Sequence, residues 1–176
     1  MSNIFKEIKV CIFDVDGTLT DGTYQISSSG EVSKSFHTRD FYAIEQLLRT
    51  GLMVVIITQS HDNVMKEQLK RIYSHSVFHN RMDGEGKLLL FGAVQNKVHE
   101  IEKMFRSGSM GWDNIAYMGD AENDFECITY AGFSGCPADA IPAIKRISLH
   151  PSDYNGGRGA VHDFCMHILE QRNKGE

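Results

Sequence analysis

Short apolar runs alternate along this chain with segments whose apolar residues recur at helical spacing. Ile8 to Phe13, Leu52 to Ile57 and Ile115 to Met118 read as buried strands, with a shorter one near Phe133. Between them, Ala43, Ile44, Leu47 and Leu48 predict a helix with Asp40 as its N-cap and Gly51 as its stop. Val64, Leu69 and Ile72 predict a second helix after Ser60, and Val94, Val98, Ile101, Met104 and Phe105 a third. Residues 160–171 close the chain as an amphipathic helix. The alternation points to an α/β fold built from βαβ units around a parallel sheet.

Two stretches depart from that rhythm. Thr23 to Phe36 carries Ser27-Ser28-Ser29-Gly30 between two short alternating runs and predicts a β-hairpin projecting from the sheet. Residues 74–87, polar and centred on Asp83-Gly84-Glu85-Gly86, predict a surface loop. A chain of 176 residues suits a single domain spanning 1–176.

Charge and cysteine usage narrow the function classes. A formal net charge of −5, with no basic run, argues against a nucleic-acid surface. No apolar stretch reaches the length of a membrane span, and the start of the chain lacks the pattern of a secretory signal. Cys11, Cys127, Cys136 and Cys165 are too scattered for a zinc site or a disulfide frame, and read as reduced core thiols of a cytoplasmic protein. His75 and His79 are four apart but lack a third ligand at a familiar zinc spacing.

The candidate chemistry sits at strand ends. Asp14 and Asp16 follow the first strand directly, where open α/β sheets place their sites. Two adjacent carboxylates there call for a cation, and a hard divalent metal suits oxygen ligands; an Asp-Gly turn is the plain alternative. Thr58 follows the second strand, where its hydroxyl and the backbone N–H groups of a helix starting near Ser60 could hold an anionic oxygen, or merely form a turn. Lys97 begins a helix, and nothing local separates it from Lys87 or Lys103. Gly119-Asp120-Ala121-Glu122-Asn123-Asp124 forms a second acidic turn after the third strand. Two strand-end acid clusters repel each other unless a cation lies between them, which favours a metal site.

Asp14-Val15-Asp16-Gly17-Thr18, Thr58, Lys97 and Gly119-Asp120 with Asp124 together resemble the four signature motifs of the haloacid dehalogenase superfamily. Thr20-Asp21-Gly22, the hairpin, Phe36-His37-Thr38-Arg39-Asp40 and Gly156-Gly157-Arg158-Gly159-Ala160-Val161 narrow the likeness to its cap-less sugar-acid phosphatases. These are the enzymes of 3-deoxy-octulosonate 8-phosphate and of sialic-acid-type 9-phosphates. The resemblance implies a Rossmann-like parallel sheet with helices on both faces and a small β-hairpin in place of a cap domain.

The same resemblance implies a phosphatase working through an aspartyl-phosphate. Asp14 would be the nucleophile and Asp16 the general acid and base. Thr58 and Lys97 would bind the phosphoryl oxygens, and the Mg²⁺ site would be made by the Asp14 and Asp120 side chains and the Asp16 carbonyl, with Asp124 orienting Lys97 or a metal-bound water. Gln59, Arg39 and Arg158 would face the phosphorylated sugar acid, and residues 23–36 would build the interface of a homotetramer. Gln59 and Ser60 stand where the group has glycine and a charged residue, Phe41 where it has glycine, and Ala121 where it often has an acid. The alternatives are a non-catalytic assembly domain like the one fused to CMP-sialate synthetases, or a phosphatase for another small ester.

Overall fold

The computed structural model describes residues 4–73, 88–105 and 110–174. The loop predicted at 74–87, with His75 and His79, lies outside the described residues. A short helix α1 (Ile4–Glu7) leads into β1 (Val10–Phe13), and a two-stranded hairpin follows, β2 (Gln25–Ile26) and β3 (Val32–Ser33). Then come α2 (Thr38–Arg49), β4 (Met53–Ile57), α3 (Val64–Tyr73), β5 (Leu88–Phe91) and α4 (Lys97–Phe105). The chain continues through β6 (Ile115–Met118), α5 (Phe125–Tyr130), β7 (Phe133–Cys136), α6 (Pro142–Ile147), β8 (His150–Pro151) and α7 (Ala160–Asn173).

The main sheet has six strands in the order β5-β4-β1-β6-β7-β8, and its neighbouring strands pair in parallel. Strand β1 is fully buried because alternate side chains serve two cores. Cys11 and Phe13 join α2, α3 and α7 on one face, through Ile44, Leu47, Met65, Leu69, Phe164 and Ile168. Val10 and Ile12 join α4, α5 and α6 on the other, with Ile101, Ile128 and Ile144. From β1 the chain runs outward to β4 and β5, then crosses back to β6 on the opposite side. The carboxyl ends of β1 and β6 therefore flank the switch point, where such sheets bind ligands.

The strands near 8–13, 52–57, 115–118 and 133 form where the apolar runs predict them, within one or two residues. Strands β5 and β8 escape the pattern. Leu88 to Phe91 is too short for its period to distinguish strand from helix, and β8 is a two-residue edge strand containing Pro151. Helix α2 starts at Thr38, so Asp40 is not its N-cap. The Asp40 carboxylate lies in the first turn and instead accepts the His162 N–H at 2.8 Å, tying α2 to α7. The third helix begins at Lys97 rather than Val94, capped by the Asn96 side chain on the His99 N–H.

Candidate active site

The backbone of Asp14 continues β1 by one hydrogen bond, its N–H donating to Met118 O at 3.0 Å. That bond fixes the two acidic turns side by side. Gly17 lets them close: its φ is +88°, and a Cβ there would lie 2.1 Å from Asp120 Oδ2. Thr18 Oγ1 then donates to Asp120 Oδ1 at 3.4 Å. Oxygens of Asp14, Asp120 and Asp124 all fall within 4.8 Å of one another.

One ammonium enters this cluster. Lys97 Nζ lies 2.5 Å from Asp14 Oδ1 and 2.7 Å from Asp124 Oδ1. Asp124, fully buried, also accepts the Tyr117 hydroxyl on Oδ1 at 2.6 Å. Its Oδ2 accepts the backbone N–H groups of Asp120 and Ala121 at 3.0 and 3.2 Å. Asp124 thus holds its own loop and aims Lys97 at Asp14. Burial opposes the charge on Lys97, but Asp14 and Asp124 outweigh it and raise its pKa above the ordinary lysine value.

The negative charges still outnumber the positive. Burial, then the charge of Asp124, raises the Asp14 carboxyl well above the usual range despite Lys97. Burial, reinforced by Asp124, pushes Asp120 up to about 7, and among the described residues it makes no ion pair. A second cation beside Asp14 and Asp120 would relieve both. Carboxylate oxygens converging from two loops are a donor set suited to a hard divalent ion.

Of these groups Asp14 lines a pocket of about 820 Å³, together with Asp16, Lys34, Thr58, Ser60 and Asp62 among others. Thr58 is 5% exposed, and its Oγ1 accepts the Ser60 N–H at 3.0 Å, which leaves its own hydroxyl proton to donate. The helix start expected near Ser60 lies further along the chain. Helix α3 starts only at Val64, whose N–H is taken by Asp62 Oδ1 at 3.0 Å. Gln59 lines the pocket and reaches Gln95 O at 3.4 Å.

Arg39 and Arg158 are not brought to the pocket. Arg39 is exposed on the first turn of α2. Arg158, with its side chain 65% exposed, pairs with Asp21 of its own chain at 3.3 Å. Within its own chain, the segment around Arg158 supports the site. Gly157 N–H donates to Thr18 O at 3.0 Å, and a Cβ on Gly156 would lie 1.8 Å from Gly17 O. These glycines pack directly on the loop that carries Asp14 and Asp16.

Lys34 is the site residue that sequence reasoning missed. It follows β3, with its ammonium 2.7 Å from Asp16 Oδ1 and 2.6 Å from Asp62 Oδ2. Asp16, its side chain 38% exposed, therefore faces the hairpin rather than the other three acids.

The family model for haloacid dehalogenase-like hydrolases matches residues 29–129. The chain belongs to that family. An N-acylneuraminate cytidylyltransferase of Oncorhynchus mykiss is 30% identical over 167 residues, 95% of this chain and 36% of the relative. The chain spans little more than a third of the length of the cytidylyltransferases it matches, 36–37%. A 3-deoxy-D-manno-octulosonate 8-phosphate phosphatase of Salmonella typhi is 28% identical over 96% of this chain and 83% of the relative. Among solved structures, the cobalt-bound deoxy-D-mannose-octulosonate 8-phosphate phosphatase of Haemophilus influenzae superposes with a TM-score of 0.83 at 26% identity, covering 97% of this chain and 92% of that one.

Proposed function

We propose that this chain is a Mg²⁺-dependent phosphatase that hydrolyses the phosphate monoester of an eight- or nine-carbon 3-deoxy-2-ulosonic acid through an aspartyl-phosphate. The observation that carries the reading is Lys97 fixed between Asp14 and Asp124, beside an Asp120 that has no ion-pair partner among the described residues. A domain kept only for assembly has no use for that arrangement. The likeness to the Salmonella and Haemophilus phosphatases supports the substrate class.

Lys97 holds Asp14 Oδ1, so the other carboxylate oxygen of Asp14 attacks phosphorus while the bond to the sugar oxygen breaks. Asp16 gives its proton to the departing oxygen. The same carboxylate next takes a proton from the water that attacks the aspartyl-phosphate, which releases phosphate and restores Asp14. Thr58 and Lys97 donate to the phosphoryl oxygens where charge accumulates. Asp14, Asp120 and Asp124, with the Asp16 carbonyl, would hold the divalent ion, which when bound neutralises charge on the acids and on the phosphoryl group.

The hairpin fits an oligomer interface: Tyr24 and Ile26 are each 62% exposed on it. In a homotetramer, Arg158 and Arg39 would meet the substrate carboxylate of a neighbouring subunit, a geometry a guanidinium matches well. Four buried free thiols accord with a cytoplasmic setting. Among the described residues no helix is long and apolar enough to cross a membrane.

A second reading rests on the cytidylyltransferases, whose similarity covers 95% of this chain. It makes the chain an assembly module. Phosphate release from a panel of sugar-acid phosphates and simple monoesters, with Mg²⁺ and with EDTA, separates the two. Metal-dependent release concentrated on one sugar acid is expected. A folded, metal-loaded sample that releases none would favour the module.

A further inference from the structure

The hairpin is solvent-facing, yet the lysine that ends it is not. All four paired residues of β2 and β3 are exposed or half-buried, whereas the Lys34 side chain is 4% exposed. Its ammonium turns inward onto Asp16 Oδ1 at 2.7 Å, Asp62 Oδ2 at 2.6 Å and Ser60 Oγ at 3.4 Å. Asp62 is itself held: its Oδ2 accepts the Ser60 hydroxyl at 2.5 Å and its Oδ1 the Val64 N–H at 3.0 Å. Lys34 therefore runs from a fixed anchor at the start of α3 to a carboxylate that, at 38% exposed, is otherwise open to the pocket. An exposed lysine pair would count for little. Here the side chain is buried and shared by two carboxylates, and although burial works against its charge, Asp16 and Asp62 raise its pKa above the ordinary value.

We infer that Lys34 is the positioning residue of Asp16, fixing that carboxyl at the pocket wall so that its proton meets the leaving oxygen. This rests on the phosphatase reading, in which Asp16 is the general acid. Lys34 touches Asp16 and Asp62 and acts through the first of them.

The dependence on the leaving group distinguishes this role from a merely structural one. An alkyl oxygen needs a proton as it departs, whereas a nitrophenolate leaves well without one. The ratio kcat/KM reports that first step. With β-glycerophosphate, Lys34→Met is expected to lose about 100-fold in kcat/KM, the scale of a misplaced catalytic group. With p-nitrophenyl phosphate the loss should be far smaller. Asp16→Asn should show the same asymmetry more strongly, and Lys34→Arg should restore part of it. Asp62→Asn removes charge only from the anchor, so it should show a weaker version, and it carries the test if Lys34→Met does not fold. Equal losses on both esters, or none, with an active wild type would overturn the assignment of Lys34 alone. A wild type inert on both esters and on every sugar-acid phosphate of the panel would overturn the phosphatase reading and this assignment with it.

Discussion

Lys97 Nζ joins Asp14 Oδ1 to Asp124 Oδ1 across the two acidic turns, at 2.5 and 2.7 Å, with its side chain 1% exposed. Removing it would leave three carboxylates facing one another with the ammonium gone. Lys97→Met should cost about 3–5 kcal/mol, the range for breaking a buried pair by deleting one partner. Urea unfolding at neutral pH measures this. Adding Asp124→Asn to that variant should recover part of the loss, because the repulsion is then smaller. Phosphate release should be lost in both.

Tyr117 is fully buried, and its hydroxyl donates to Asp124 Oδ1 at 2.6 Å. Tyr117→Phe keeps the ring and removes one hydrogen bond to a carboxylate. A loss of about 1.5–3 kcal/mol is expected, seen as a lower urea midpoint with an unchanged slope. Turnover should fall less than for Lys97→Met, since Lys97 still spans its two acids.

The acid cluster was legible in the sequence because strand-end position is a local property. Asp14 directly follows one four-residue apolar strand, Asp120 follows another after Gly119, and the sheet brings those ends together. Lys97 has no such signature; only its place in a four-part motif picks it out. Lys34 has neither, because its partners Asp16 and Asp62 meet it through the fold of a hairpin whose strands are two residues long. Thr58 directly follows its strand, the position that the apolar run before it predicts. The helix that follows starts at Val64, not near Ser60, because Asp62 and Asn63 form a turn closed by the Val64 N–H on Asp62 Oδ1.

Asp120 is half-buried, pushed up to about 7, and unpaired by any cation among the described residues. Mg²⁺ should therefore raise the melting temperature of the wild type, with EDTA reversing the rise, since a ligand that binds only the folded state stabilises it. Asp120→Asn should melt higher than the metal-free wild type, because a repelling charge is gone. It should respond little to Mg²⁺. A thermal melt of both proteins with and without the ion checks this.

Asp40 offers a pH dependence away from the metal cluster. It is fully buried, Oδ1 accepts the His162 N–H, and Oδ2 has no hydrogen-bond partner. Burial raises its pKa above 3.8, against the opposing pull of the His162 amide. A carboxyl with a raised folded-state pKa contributes stability that is present below 3.8 and lost as pH rises through the folded value. Asp40→Asn keeps an oxygen for His162 and never ionises. It should be more stable than the wild type at pH 7, and the gap should close as pH falls towards 4. Denaturant curves at several pH values measure it.

The glycines at 156 and 157 close on Gly17 and Thr18, so the last fifth of the polypeptide completes a loop that begins near its start. Strand β1 likewise waits for β6 before it is flanked on both sides. During synthesis, the segment bearing Asp14 leaves the ribosome well before residues 156 and 157, and it acquires its final shape only once they follow. Contacts so distant in sequence make folding slow, and until they form the apolar strand β1 lacks its neighbours. A polypeptide arrested before residue 156 would carry every acid of the site and still lack the brace that shapes the Asp14 loop.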